Sequence, residues 1–151
     1  MPVLPSLGID PGRTGAAALL DSSGRLLALV GWKPVTRRKQ PRCEVRAWRF
    51  RRGADPWVEI TIIPRRPGAI GSYVTRVLHV AGYLDASLAC EDSYIMPKNP
   101  SAGMKVARFS GGVVAPAEEL YGRAAQWVLP SSWRKVVLPK GWRKMYPNLD
   151  K

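Results

Sequence analysis

Soft metal ligands and acids are scarce in this 151-residue chain, which has two cysteines, one histidine and 11 acidic side chains against 24 lysines and arginines. Cys43 and Cys90 lie far apart with no CxxC or Cys/His spacing, so neither a zinc site nor a disulfide framework is indicated, and a reducing compartment fits. His79 has no cysteine or acid beside it in sequence and reads as an ordinary helix-face histidine rather than a ligand. No run approaches the roughly 18 consecutive apolar residues of a membrane span. Met1-Pro2-Val3-Leu4-Pro5 lacks the charged start of a signal peptide. These absences predict a soluble, unexported, cytoplasmic protein. No internal repeat or low-complexity tract is present.

What is there is positive charge on a chain with 46% apolar residues, enough for one compact domain over 1–151. The net charge is +13, a balance expected of a protein that binds phosphate backbones. It is unevenly spread. Residues 32–68 carry 11 basic and 3 acidic side chains, residues 123–151 carry 7 and 1, and residues 69–122 carry 4 and 5. The near-neutral segment reads as core and subunit interface, flanked by basic DNA-facing parts. Arg37, Arg38 and Lys39 with Arg42, and Arg65-Arg66, are interleaved with Trp48 and Trp57, a pattern that fits contacts to a DNA backbone.

The pattern of apolar residues predicts an α/β fold. Residues 7–20 read as a first strand, 21–24 as a hairpin turn and 25–32 as its antiparallel partner. Alternating runs at 43–50 and 57–63 read as further antiparallel strands. Ile70, Val74, Val77, Leu78, Ala81 and Leu84 recur at helical spacing over 69–85, and 86–95 reads as a short strand. Ser101 is placed to cap a second helix running to Ala117. Its glycines cost about 1 kcal/mol each in a helix interior, which close packing against another helix or a partner subunit would offset. Residues 126–130 read as the last strand, and 131–138 as a short helix capped by Ser131 or Ser132.

One acid interrupts the first apolar run, in Leu7-Gly8-Ile9-Asp10-Pro11-Gly12-Arg13-Thr14-Gly15. On a strand buried on both faces an unpaired carboxylate costs several kcal/mol, so Asp10 is expected to be held by a cation or metal. Gly12 and Gly15 would let the backbone approach a phosphate. The second acid is Glu91, in Leu88-Ala89-Cys90-Glu91-Asp92-Ser93-Tyr94. Asp10 and Glu91 on neighbouring strands could share Mg²⁺ or Mn²⁺, and two such ions about 3.5–4 Å apart would activate a water and stabilise the leaving oxygen of a phosphodiester. Asp92 falls on the opposite face by alternation and is expected to have a structural or surface role.

With Gly8-Ile9-Asp10-Pro11-Gly12 on the first strand, Glu91-Asp92-Ser93-Tyr94 on a later one, and Lys98-Asn99-Pro100-Ser101-Ala102-Gly103-Met104-Lys105-Val106-Ala107-Arg108 opening the small-residue helix, the chain resembles the RuvC-type Holliday junction resolvases of the RNase H-like superfamily, in a phage or phage-derived relative. The resemblance implies a mixed sheet of five or slightly more strands flanked by helices. It implies a homodimeric endonuclease of DNA recombination and repair, located with the nucleoid of a bacterium or infected host, that cuts four-way junctions using Asp10 and Glu91. Tyr94 would push into the junction core, and Lys144 falls near a DNA-contacting lysine. Arg13, Lys98, Asn99, Lys105 and Arg108 join the DNA surface, and Ala102, Ala107 and Gly111 the dimer interface.

Two features depart from that family. Its metal site is completed by two acids on a final helix, whereas Asp150 is the only acid here after Glu119. Either further chain follows Lys151 or this is a degenerate member, and the expectation for residues 1–151 is junction binding with weak cleavage or none. The Arg-rich stretch at about 33–68 has no counterpart in the family. Two other readings stand beside the nuclease: a non-catalytic binder of branched DNA, and half of an actin-like or sugar-kinase ATPase, which would need a second phosphate loop.

Overall fold

The structure, a computed structural model, describes residues 4–35, 41–80, 85–92, 99–129 and 144. Its frame is one seven-stranded mixed sheet, and among the described residues two long helices cover one of its faces. β1 (Ser6–Asp10), β2 (Gly15–Leu20) and β3 (Leu26–Val35) form an antiparallel meander. The run at 7–20 is therefore two strands and not the single one expected. Pro11 and Gly12 break it, and the chain folds back so that Asp10 pairs with Ala16. The second turn falls at 21–24, as the sequence predicts. Asp21 accepts bonds there from the Ser23 and Arg25 amides and from the Ser23 hydroxyl, and Gly24 takes a left-handed φ of 84°.

The Arg-rich segment supplies a second hairpin, β4 (Arg42–Arg49) and β5 (Trp57–Pro64), which extends the sheet beyond β3. On the other side β6 (Ser87–Glu91) lies parallel to β1, and β7 (Gln126–Val128) parallel to β6. The strand order is β5-β4-β3-β2-β1-β6-β7.

Alternation decides the two faces. Leu7, Ile9, Ala17, Leu19, Val30, Trp32, Val45, Ala47, Leu88 and Cys90 all point to one side and are buried there beneath α1 (Pro67–Val80) and α2 (Pro100–Tyr121). The helices touch closely because glycines face them together. A Cβ on Gly71 would strike the Val113 carbonyl oxygen and the Pro116 ring, and one on Gly112 would come within 2.7 Å of Pro67. Gly112 thus explains part of the small-residue content of α2 within the chain itself. Gly111 has nothing within 4 Å of where its Cβ would stand. Asn99, not Ser101, caps α2: its side chain accepts from the Ala102 amide at 3.2 Å, and Pro100 follows at the first helical position. The helix also runs past Ala117 to Tyr121 and ends on Gly122 at a left-handed φ of 62°. Among the described residues no helix is long and apolar enough to cross a membrane. The expected helix at 131–138 lies outside them.

Candidate functional site

Asp10 and Glu91 end their strands, and they end them side by side. Ile9 is in register with Cys90 on the parallel neighbour, so the next residues, the two acids, share the opposite face at a strand spacing of about 4.8 Å. This is the carboxyl end of two adjacent parallel strands, where open α/β sheets offer a crevice for ligands. It is also the face that the helices leave uncovered. Asp10 is exposed and Glu91 half-buried. The strand that carries Asp10 is therefore buried on one face only, which overturns the expectation that desolvation forces a counter-cation onto this carboxylate. Its placement beside Glu91, rather than burial, makes it a candidate ligand.

The bend after Asp10 is held from beneath. The Trp32 indole N–H donates to the Gly12 carbonyl at 2.8 Å. Gly15 is obligatory for the same reason, since a Cβ there would meet the Asp10 carbonyl oxygen and the Trp32 ring. The missing side chain at Gly15 thus admits a tryptophan that fixes the turn, a structural use in place of the phosphate approach expected of it. Arg13 and Thr14 project from the turn and are exposed.

The sheet register continues the acids into a row. Asp10 pairs with Ala16, Ala16 with Gly31, Gly31 with Arg46 and Arg46 with Ile60. Between Asp10 and Arg46 the residues of that row are Ala16 and Gly31, with no side chain larger than a methyl. At the Arg46 end of the row a shallow cleft of about 310 Å³ opens, lined by Thr14, Gly31, Lys33, Glu44, Arg46 and Trp48 among others. Glu44 accepts from Arg46 Nε at 3.0 Å and pairs with Lys33 Nζ at 3.6 Å. The Arg46 hydrogen bond, with help from Lys33, holds its carboxyl below the usual range. Sequence reasoning missed Lys33, Arg46 and Trp48 as a group. The signal was available in the strand at 43–50, where Cys43, Val45 and Ala47 alternate with Glu44, Arg46 and Trp48.

The thiols are not candidates for chemistry. Burial pushes Cys90 up to about 12, with Glu118 and Asp92 adding to the effect, and burial raises Cys43 as well. The Asp92 amide donates to the Val128 carbonyl at 2.9 Å. His79 is exposed on the last turn of α1, beside a groove it shares with Arg76 and Glu119. Asn99 is occupied as the helix cap. Lys105, Arg108 and Lys144 are exposed, as is Ala102, while Ala107 and Gly111 are half-buried. Arg37, Arg38, Lys39, Tyr94, Lys98 and Asp150 lie outside the described residues. Among the described residues no group of three or more His, Cys, Asp or Glu side chains gathers as a metal site. Asp10 and Glu91 remain a pair of hard oxygen donors, whose chemistry suits Mg²⁺ or Mn²⁺.

Compared with protein-family models and with curated proteins, the chain matches none.

Proposed function

We propose that this protein binds branched DNA, four-way junctions in particular, and is an RNase H-like nuclease whose metal ligands include Asp10 and Glu91. The observation that carries the reading is the pair itself, two carboxylates at the carboxyl ends of adjacent parallel strands on a face the helices leave open. The strand order supports it. Three antiparallel strands followed by two parallel ones, β3-β2-β1-β6-β7, are the order an RNase H-like reading expects, and on that reading the β4–β5 hairpin is an addition at the edge. The net charge of +13 supplies the sequence-independent attraction for phosphates.

Each residue then has a defined task. Asp10 and Glu91 would hold Mg²⁺ or Mn²⁺, which when bound supplies an activated water and stabilises the leaving oxygen. Trp32 and Gly15 hold the turn that sets the direction of Asp10. The exposed Arg13, Lys105, Arg108 and Lys144 belong to the phosphate-contacting surface. Two opposed cuts in a junction call for two sites related by symmetry. The first half of α2, where Ala102, Met104 and Val106 are exposed, is the proposed dimer contact.

Gel-shift titration of a four-way junction against linear duplex, over a range of salt, tests the binding claim. The expected result is tighter binding to the junction with a steep fall as salt rises. Equal affinity for the two DNAs removes the junction from the account.

A further inference from the structure

We propose that the cleft on the β3–β4 surface is a second DNA subsite, which takes one unstacked base against Trp48 and adjoining phosphates against Arg46 and Lys33. The inference rests on the nuclease reading above and adds where the substrate strand runs once it leaves the acids. It runs across the sheet, along the row Asp10, Ala16, Gly31, Arg46. Three strand spacings separate the ends of that row, about 14 Å, a span of a few nucleotides.

Four features of the cleft fit a nucleotide strand. Ala16 and Gly31, the two residues of the row between its ends, keep its floor low. Trp48 is half-buried in the cleft wall, and an aromatic face of this kind stacks any base. Glu44 bonds both Arg46 and Lys33 and neutralises only one of their two charges. Glu44 engages Arg46 through Nε, and the terminal N–H groups of a guanidinium suit a phosphate. Beyond Arg46 the edge strand exposes Val58, Ile60 and Ile62 at 49%, 58% and 51%, an apolar shoulder beside Trp48 that would shield the stacked base from water. The segment that builds all this, 32–68, has a large basic excess. Charge complementarity therefore favours DNA over a second copy of an equally basic chain.

The test is fluorescence anisotropy of a labelled four-way junction in EDTA, with the full chain. Trp48→Ala should weaken binding about tenfold, and Trp48→Phe should restore it to within about twofold. Arg46→Ala should weaken binding and lower the salt slope by about one. A junction with 5-iodouracil scanned along its strands should crosslink to Trp48, identified by mass spectrometry, which needs no variant to fold. Wild-type binding that Trp48→Ala and Arg46→Ala leave unchanged, or crosslinks only to other residues, overturns this subsite and leaves the nuclease reading standing. No DNA binding by the wild type overturns both. If Ile60→Lys turns a dimer into a monomer by light scattering with DNA affinity unchanged, the shoulder is a subunit contact and the subsite is wrong.

Discussion

Asp21 shows how much one side chain can organise. The Ser23 hydroxyl, followed by the Arg25 amide, holds its carboxyl down at about 2. A folded value below the unfolded one means that the charged form stabilises the turn above about pH 4, and that this contribution fades as pH falls through 2. Asp21→Ala should accordingly melt below wild type at pH 7, and the gap should narrow steadily between pH 4 and pH 2 in thermal scans. A gap that stays constant over that range would mean the turn owes nothing to the carboxylate. At Gly15 the issue is space. Alanine must displace either the Asp10 backbone or the Trp32 ring, so Gly15→Ala should cost about 1–3 kcal/mol in urea unfolding. A neutral result would show that the turn after Asp10 yields easily. Single residues were legible in sequence where an acid interrupts an apolar run, as Asp10 and Glu91 do, but the open face on which Asp10 stands was not. The close fit of Gly15 to Trp32, 17 positions away in the chain, was not, because it depends on the β2–β3 register.

The strands and helices were legible where apolar periodicity was unbroken. The runs at 43–50 and 57–63 became β4 and β5 with boundaries moved by a residue, and the apolar spacing after Ala69 became α1. Misreadings came where two local signals compete. Residues 7–20 are apolar on both sides of Pro11-Gly12, and composition outweighed the break. Asn99 and Ser101 are both good caps, and Pro100 decides between them by favouring the first helical position. Helix packing makes a contrast that can be measured. Gly71→Ala must push against the Val113 carbonyl and Pro116, and should destabilise by about 1–3 kcal/mol. Gly111→Ala meets nothing within 4 Å, and should stabilise by up to about 1 kcal/mol through helix propensity. Denaturant midpoints check both. If the two changes cost the same, the packing of α1 on α2 is wrong. Gly111→Leu serves a different purpose: if this part of α2 joins the dimer contact, light scattering should show the dimer weakened, and an undisturbed dimer moves the contact elsewhere.

At the scale of the whole molecule, the sheet divides its labours between faces. One face, with Leu7, Leu19, Val30 and Val45, holds the core beneath the helices. The other carries the acids at one end and the basic cleft at the other, joined by small residues. The acidic end was visible in the sequence, but the basic cleft was not, since the basic excess of 32–68 says nothing about which arginines share a face. Only pairing β4 to β3 puts Arg46 in line with Asp10. The central claim is that Asp10 and Glu91 act together on a divalent metal against bound DNA. Mn²⁺ titration followed by electron paramagnetic resonance, on the protein bound to a four-way junction, tests it most directly. The account predicts that the wild-type complex takes up Mn²⁺ specifically, and that Asp10→Asn with Glu91→Gln removes that uptake while junction affinity is kept. Undiminished Mn²⁺ binding by the double variant, or no specific uptake by the wild type, would contradict it.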